Sequence, residues 1–340
     1  MKTDHLLIMR FSAMGDVAMI VPVVKLLSQQ YPDLRVTVLS RPFAKPLFDE
    51  ISPNVSFMGA DVSNEYKHIT GLNELYKRLT AKHFTAVADF HGVLRTEYLR
   101  SRFALSRVKV AHIDKHRSGR KALCRQTDKQ LIQQPSPFEN YADVLAKLGF
   151  PVTLDQSEVP FRFSQSHFVK PEGESWIGIA PTAAFRGKTY PLEKMKEVVS
   201  TLIKRYPYCR IYIFGAKKEE YAAIAPNGTD SVVDVSSVVK GLDNELRLMS
   251  QLDVMVSMDS ANMHFASLVG VPVVSVWGQT HPLAGFMGWG QSEDNAVQTD
   301  LPCRPCSIFG NKECKYGDYR CMVSITPESI VEKIQKSVNC

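Results

Sequence analysis

Short apolar runs alternate with amphipathic stretches along the first half of the chain. The short runs predict strands at residues 6–10, 36–39, 55–58, 85–89 and 108–111. Between them, apolar side chains such as Ile20, Val24 and Leu27 recur every three or four residues, which is the spacing of one helix face. The predicted helices cover residues 15–30, 43–51, 73–82, 93–103 and 141–149. Strands and helices that alternate in this way form a parallel sheet with helices on both faces.

The same alternation begins again in the second half. Polar residues and prolines near residues 160–172 separate the two halves. Beyond them, strands are predicted at residues 176–180, 210–214, 232–235, 253–257 and 271–276, and helices at 191–205, 219–225, 243–250, 263–269 and 326–338. The sequence therefore predicts an α/β protein with two Rossmann-like βαβ domains, residues 1–165 and 166–340, facing across a cleft. An alternative prediction is that the final helix packs back on the N-terminal domain.

Composition places the chain among soluble globular proteins. Its 340 residues are 44% hydrophobic and 22% charged, and a chain of this length usually forms two domains. No apolar stretch approaches the ~20 residues that span a bilayer. Residues 1–5 lack the pattern of a signal peptide. Together these features predict a cytoplasmic protein.

Positive charge is concentrated in residues 100–129. This segment has ten Lys or Arg and two Asp, which gives 10 − 2 = +8, whereas the whole chain carries +6. The segment is either a solvated surface or a contact for a polyanion, such as nucleic acid, an anionic membrane or a phosphorylated acceptor. Phe103 is the one aromatic residue within it, so stacking on nucleic-acid bases is poorly supported.

Four of the seven cysteines lie close together near the C-terminus. Cys303, Cys306, Cys314 and Cys321 follow the spacing C-x2-C-x7-C-x6-C, and the others are Cys124, Cys209 and Cys340. In a cytoplasmic protein such spacing indicates a metal site or reduced thiols rather than disulfides. Four thiolates can hold zinc in a tetrahedron, but the spacing is less regular than that of paired C-x2-C knuckles, and both alternatives remain open.

Two strand-to-helix junctions carry candidate chemistry. Asp259 and Ser260 follow the predicted strand 253–257 and precede a helix, where unpaired backbone N–H groups and the helix dipole favour an anion. The alternative is that both residues only cap the helix. Asp16 lies in the turn after the first strand, and it is either a general base or a carboxylate that complements the helix dipole. That turn lacks the G-x-G-x-x-G pattern of dinucleotide-binding domains.

Four segments resemble, in order, the motifs of glycosyltransferase family nine, the ADP-heptose:lipopolysaccharide heptosyltransferases. They are R-F-S-A-M-G-D-V at 10–17, K-T-Y-P-L at 188–192, F-G-A-K-K-E at 214–219 and S-M-D-S-A-N-M-H at 257–264. Tyr190 stands where the family usually has Trp. Met258, Ala261 and Asn262 replace the commoner Asn, Gly and Pro. The Cβ of Ala261 affects how closely a ligand can approach the backbone there. The C-terminal cysteines also resemble a motif found in part of the family.

The resemblance implies a GT-B fold, with the acceptor bound by the N-terminal domain and the nucleotide-sugar by the C-terminal one. It implies inverting transfer of heptose from ADP-heptose to an inner-core acceptor of lipopolysaccharide, of the lipid A/Kdo type. Asp16 would be the base, Lys188 would neutralise the diphosphate, and Glu219 would hold the ribose. The implied donor-binding residues are Thr182, Lys188, Glu219, Asp259, Ser260, Ala261, Asn262 and His264. The expected acceptor-binding residues are Ser12, Arg117, Arg120 and Lys121.

No Asp-x-Asp pair is placed at a predicted strand end, so no cofactor is expected for catalysis, and a structural zinc at Cys303, Cys306, Cys314 and Cys321 is one alternative. The expected partners are an ADP-sugar, a phosphorylated glycolipid and the inner membrane surface, which the protein would contact peripherally. Nucleic acid is not an expected partner. The sequence leaves two alternative functions: a GT-B transferase that uses a different nucleotide-sugar, and a basic protein that binds nucleic acid without catalysis.

Overall fold

The computed structural model describes residues 4–163, 167–226 and 228–338. The chain forms two compact units. The first consists of Met1–Lys115 and Ser136–Pro160, and the second of His116–Pro135 and Phe161–Cys340. The predicted boundary between residues 165 and 166, and Cys340, lie outside the described residues.

Each unit has one fully parallel sheet. The strands of the first unit are His5–Met9 (β1), Arg35–Ser40 (β2), Val55–Gly59 (β3), Ala86–Asp89 (β4) and Lys109–His112 (β5), in the order β3-β2-β1-β4-β5. Those of the second are Ser175–Ala180 (β6), Cys209–Ile213 (β7), Val232–Asp234 (β8), Val254–Met258 (β9), Val273–Trp277 (β10) and Ala296–Gln298 (β11), in the order β11-β10-β9-β6-β7-β8. The ten predicted strands are confirmed, and β11 is an addition.

The helices that connect these strands are mostly short. They are Met14–Ala18 (α1), Val21–Gln30 (α2), Ile69–Thr80 (α3), Leu94–Leu105 (α4), Arg117–Leu123 (α5), Pro137–Leu148 (α6), Leu192–Arg205 (α7), Lys218–Ile224 (α8), Val235–Val238 (α9), Leu242–Met249 (α10), Ala261–Leu268 (α11), Arg320–Val323 (α12) and Pro327–Gln335 (α13). Short 3₁₀ helices form at Pro42–Leu47, Arg186–Lys188, Pro282–Ala284 and Glu293–Asn295. Within the described parts of the chain, no helix is long and apolar enough to cross a membrane.

The final helix belongs to the core of the second unit. Ile330, Val331 and Ile334 of α13 are buried in one apolar cluster with Met195 and Val198 of α7. This placement explains the apolar spacing of α13, because its buried face covers the sheet that α7 also covers. The structure therefore assigns α13 to the second unit, and its packing on the N-terminal domain stays a prediction.

The predicted basic segment, residues 100–129, is divided between the two units. Its second part is anchored in the second unit, where Lys129 Nζ donates to the carbonyl oxygens of Arg304 at 2.8 Å and Pro305 at 3.0 Å. The Arg120 guanidinium lies 4.7 Å from the ring centroid of Phe286. The domain prediction places residues 116–135 in the first unit. These long-range contacts explain why the segment groups with the second unit instead.

Candidate active site

The second unit brings most of the predicted donor residues to one edge of its sheet. Strands β9, β6 and β7 are neighbours and parallel, so the loops that follow them lie side by side. Thr182 and Lys188 follow β6, and Glu219 follows β7. The segment from Asp259 to His264 follows β9. Asn262 lies next to Gly215 in the loop that follows β7, so the loops after β7 and β9 are in contact.

Ser260 immediately precedes α11, but its side chain does not cap the helix. Its hydroxyl lies 3.2 Å from the Ser257 hydroxyl, which itself donates to the carbonyl oxygen of Met258 at 2.8 Å. The Ser260 hydroxyl, which is best placed to accept a hydrogen bond from the first-turn N–H groups of α11, therefore does not do this. This geometry favours the anion-binding interpretation of the junction over the capping one.

Lys188 and Asp259 form an ion pair at this junction. Lys188 Nζ lies 3.1 Å from Asp259 Oδ2, and the two side chains are only 17% and 7% exposed. Because both charges are largely removed from water, each depends on the other for its stabilisation. The pair places an ammonium group and a carboxylate beside the N-terminus of α11.

The other predicted donor residues differ in exposure. Glu219 lies in the first turn of α8 and is exposed, while its neighbour Glu220 accepts the Lys217 backbone N–H at 2.7 Å and caps the helix. Asn262 and Ala261 are partly buried at the start of α11. His264 is buried one turn further on, with 7% of its surface exposed. Burial of this kind is typical of a histidine that packs within its own domain.

The cysteine-rich loop contacts the Lys188 segment directly. Gly187 accepts the Gln279 backbone N–H at 2.8 Å, and the Gln279 carbonyl oxygen accepts the N–H groups of Cys306 at 3.1 Å and Ser307 at 3.3 Å. A Cβ atom on Gly310 would overlap Cγ and Cδ of Lys188. The loop that carries the cysteines is distant in sequence from the site motifs, yet it lies against Lys188.

Arg304 holds this loop from within. Its side chain is 4% exposed and donates to the carbonyl oxygens of Gly278 and Thr299, to that of Thr280 at 2.9 Å, and to Gln298 Oε1 at 3.0 Å. A guanidinium that satisfies four acceptors can remain charged in a buried position. The loop is thereby fixed against the segment that follows β10.

The four clustered cysteines are thiols in this structure. Burial raises the pKa of Cys321 to about 11, and burial and the neighbouring Cys303 also raise the pKa of Cys306, so both are neutral at pH 7. In the described part of the chain, no three His, Cys, Asp or Glu side chains are grouped closely enough to hold a metal ion. As arranged, the thiols do not converge on a metal position, and the zinc alternative stays a prediction.

The first unit holds the candidate base. Arg10 follows β1 and contacts both of the site residues predicted in this loop, Ser12 and Asp16. Its Nη2 lies 3.3 Å from Asp16 Oδ2, and its Nε donates to the Ser12 hydroxyl at 2.7 Å. A third nitrogen, Nη1, donates to the carbonyl oxygen of Phe90. The Asp16 side chain is 42% exposed, so its carboxylate is both oriented and accessible.

The sequence did not predict that Asp89 and His91, at the end of β4, belong to the site region. Asp89 is fully buried, accepts the backbone N–H groups of His91 at 2.9 Å and Gly92 at 2.8 Å, and pairs with Arg100 at 3.1 Å. His91 in turn accepts the Phe11 N–H at Nδ1, at 3.3 Å. The polar sequence Asp-Phe-His-Gly after a strand was a usable signal, but only the strand order places it beside β1.

Arg117, Arg120 and Lys121 do not lie in the unit that holds Ser12 and Asp16. They belong to α5 in the second unit, where Arg117 and Lys121 are exposed and Arg120 contacts Phe286. Their predicted place in the acceptor domain is therefore wrong, because the contacts of residues 116–135 are with the second unit.

The model of glycosyltransferase family 9 (heptosyltransferase) matches residues 72–319, which is most of the chain. The chain belongs to glycosyltransferase family 9. Lipopolysaccharide heptosyltransferase 3 of Escherichia coli is 24% identical over 304 residues, which cover 85% of this chain and 86% of that protein. Lipooligosaccharide heptosyltransferase 2 of Campylobacter jejuni is 24% identical over 188 residues, 53% of this chain, and the match spans only 57% of that relative.

Solved structures of this family share the fold. A family 9 glycosyltransferase from Veillonella parvula has a TM-score of 0.71 at 19% identity, covering 99% of this chain and 97% of its own. E. coli heptosyltransferase WaaC with ADP has a TM-score of 0.68 at 16% identity, and the match covers 98% of this chain and 100% of that one. TibC of enterotoxigenic E. coli is described as an iron-containing dodecameric glycosyltransferase. It has a TM-score of 0.57 at 13% identity, and the match covers 98% of this chain and 76% of that one. The predicted GT-B fold class of this family 9 enzyme is confirmed.

Proposed function

We propose that this family 9 enzyme transfers a heptose from ADP-heptose to an inner-core acceptor of lipopolysaccharide, with inversion at the anomeric carbon. The observation that carries the proposal is the Lys188–Asp259 ion pair beside the first turn of α11, which Ser260 does not cap. Two curated relatives are named as heptosyltransferases, and WaaC has been solved with ADP and with ADP-2-deoxy-2-fluoro heptose. These names support the choice of donor.

The second unit supplies the chemistry of the leaving group. As the bond between the anomeric carbon and the diphosphate oxygen breaks, ADP gains negative charge. Lys188 and the first-turn N–H groups of α11 would stabilise that charge without a metal ion. Asp259 already holds the Lys188 ammonium at 3.1 Å, so little reorganisation is needed when the donor binds. A carboxylate oxygen of Asp259 can also accept a hydrogen bond from a hydroxyl of the transferred sugar.

The first unit supplies the base. The acceptor hydroxyl oxygen attacks the anomeric carbon, and its proton passes to Asp16 as the new glycosidic bond forms. The products are the glycoside, ADP and a protonated Asp16, which returns its proton to solvent through its exposed face. Arg10 holds the carboxylate by the 3.3 Å ion pair and thereby sets its direction before the acceptor binds.

A donor screen tests the proposal. ADP-heptose, ADP-glucose and a UDP-sugar are each added to the protein, and thermal stability and nucleotide release are measured. A donor present at ~100 times its dissociation constant stabilises the folded state by ~2.7 kcal/mol. ADP-heptose should give the largest shift and release ADP when a lipid A/Kdo-type acceptor is present. An equal shift with the UDP-sugar and no ADP release would reject the proposal.

Lys188→Ala and Lys196→Ala provide the matched pair of variants for that screen. Lys196 is an exposed residue of α7. Lys188→Ala should weaken ADP binding and lower turnover, because its charge acts in the ground state and matters more in the transition state. Lys196→Ala should resemble the wild type. Unchanged ADP affinity and turnover in Lys188→Ala would remove this residue from the site.

We further propose that the exposed basic residues of α5 contact anionic groups of the acceptor or of the inner membrane surface. Arg117 and Lys121 are exposed, whereas Arg120 is engaged with Phe286. Replacing Arg117 and Lys121 with Ala should weaken acceptor binding, reduce its salt dependence and spare ADP binding. An equal loss of ADP affinity would contradict this assignment.

A further inference from the structure

One imidazole in the first unit is bound at one ring nitrogen and open at the other. His91 Nδ1 accepts the Phe11 backbone N–H at 3.3 Å. Since Nδ1 is the acceptor, the proton of the neutral ring lies on Nε2. Nε2 makes no hydrogen bond with any residue in the described part of the chain, and it is not buried away from solvent. The ring therefore presents an N–H donor that no described protein group uses.

The loop that carries His91 is held firmly. Asp89 Oδ1 accepts the backbone N–H groups of His91 and Gly92 at 2.9 and 2.8 Å. Asp89 itself is fully buried and paired with Arg100 at 3.1 Å. These bonds fix the backbone, and the Phe11 N–H fixes the ring, so the direction of Nε2 is set before any ligand binds.

Arg10 connects this imidazole to Asp16. Its guanidinium lies 3.3 Å from Asp16 and also donates to the carbonyl oxygen of Phe90, the residue before His91. Asp16 and His91 therefore flank the same guanidinium at the carboxyl edge of β1 and β4. Both are within reach of one another's charge, since Asp16 acts electrostatically on His91.

The ring stays neutral at physiological pH. Burial lowers the pKa of His91 to about 4, and the nearby positive charges of Arg10, Lys115 and Arg95 act in the same direction, against the opposing charge of Asp16. A neutral imidazole can donate one hydrogen bond from Nε2, and it carries no charge that would hold the Asp16 carboxylate in an ion pair.

We propose that His91 Nε2–H donates a hydrogen bond to an oxygen of the acceptor sugar beside the hydroxyl that Asp16 deprotonates, and that His91 thereby positions the acceptor. The inference rests on the proposed function, because it takes Asp16 as the base. It assigns a substrate contact to the loop after β4. A polar sugar oxygen, rather than an apolar group or a metal, is the ligand that a neutral N–H donor in a half-buried position fits.

Two substitutions separate this role from a structural one. In His91→Gln the amide N–H can occupy the place of Nε2–H, whereas in His91→Asn the side chain can still accept the Phe11 N–H but has no donor at the Nε2 position. The measurements are the acceptor KM and kcat, the donor KM, ADP affinity and the thermal midpoint. His68→Asn, at an exposed histidine of the same unit, serves as the control.

His91→Asn is expected to lower kcat/KM for the acceptor roughly three- to tenfold more than His91→Gln, which is the effect of one neutral hydrogen bond. ADP affinity should be the same in both variants and in the control. If His91→Asn retains acceptor kcat/KM while His91→Gln loses it, the ring serves only Phe11, and the inference is overturned. Equal acceptor kinetics in both variants also overturn it. Absence of heptose transfer by the wild type would instead reject the proposed function, and the inference with it.

Discussion

At the residue scale, the two carboxylates of the candidate site have different surroundings that fit different roles. Asp259 is 7% exposed and paired with a lysine, so its charge is already engaged. Asp16 is 42% exposed and touches a guanidinium on one side only, which leaves an accessible oxygen. A general base must reach the substrate and return its proton to solvent, and Asp16 meets both requirements.

We therefore predict that Asp16→Asn binds donor normally and loses turnover by ~10²–10⁴-fold, the contribution typical of a general base. The amide keeps the shape and can still accept from Arg10, but it cannot take a proton at neutral pH. Steady-state kinetics with a saturating donor measure the loss, and ADP affinity serves as the control. Turnover within about threefold of the wild type would show that Asp16 only complements the dipole of α1.

The sequence predicts Asp16, Lys188 and Asp259 as site residues but not His91, and the difference has a physical reason. Asp16, Lys188 and Asp259 each lie within a motif that follows a predicted strand, so their place at a sheet edge could be derived locally. His91 could not be connected to Asp16 in this way. Its position depends on β4 lying beside β1, and strand order is decided by packing across the whole unit rather than by any local pattern.

At the scale of elements, the periodicity of apolar residues predicted the strands well and the helices less well. The predicted helix 15–30 is two helices, α1 and α2, because Pro22 occupies the first turn of α2, where it can begin a helix but not continue one. The predicted helix 43–51 is a 3₁₀ helix with Pro46 inside it. Strand β11 has only three residues, too few for an apolar pattern to be recognised.

The cysteine-rich loop forms part of the wall around Lys188, and Gly310 lies against the side chain of that lysine. Both Gly310 and Gly317 have positive φ, at 71° and 74°, but a Cβ on Gly310 would meet the Lys188 side chain, whereas a Cβ on Gly317 would meet nothing within 4 Å. Alanine should strain the backbone similarly at both positions. Only Gly310→Ala should displace Lys188, so it should raise donor KM and lower turnover relative to Gly317→Ala. Equal donor kinetics would show that the loop does not position Lys188.

The same loop carries the thiols, and its chemical state can be measured directly. Metal analysis of the purified protein should return either about one metal ion per chain or none, with Cys303, Cys306, Cys314 and Cys321 all titratable under denaturing conditions. Burial raises the pKa of Cys321 to about 11, so in the metal-free protein its thiol should react slowly with alkylating reagents near pH 7. Disulfides in protein expressed in the cytoplasm would contradict both alternatives.

At the scale of the whole molecule, the division of the chain follows long-range contacts more than sequence order. Residues 116–135 join the second unit through Lys129, Arg120 and Gln134, whose N–H donates to the Leu283 carbonyl oxygen at 2.9 Å. A sequence-based boundary assumes that each unit is continuous. That assumption fails here because the partners of this segment lie 149 to 176 residues away along the chain.

Each unit holds a half-buried histidine, His91 or His281, whose pKa is strongly lowered and whose titration should therefore affect stability. Burial, the largest cause in both, lowers the pKa of His91 and of His281 from 6.5 to about 4; Arg10 adds to the effect at His91 and Arg304 at His281. In the unfolded chain these rings take up protons near pH 6.5, but in the folded protein they do not until about pH 4. Their contribution to stability is therefore complete above about pH 6.5 and declines as the pH falls toward 4.

We accordingly predict that the urea midpoint of unfolding falls between pH 7.5 and pH 5, and that His91→Asn and His281→Asn each make this fall shallower. Asparagine is chosen because it can still accept the N–H groups that Phe11 and Leu283 donate to the two rings, so the native bonds are kept while the titrating group is removed. His68→Asn should retain the wild-type dependence on pH. A slope unchanged by both substitutions would mean that the two rings also charge in the folded protein, and that other groups determine its acid sensitivity.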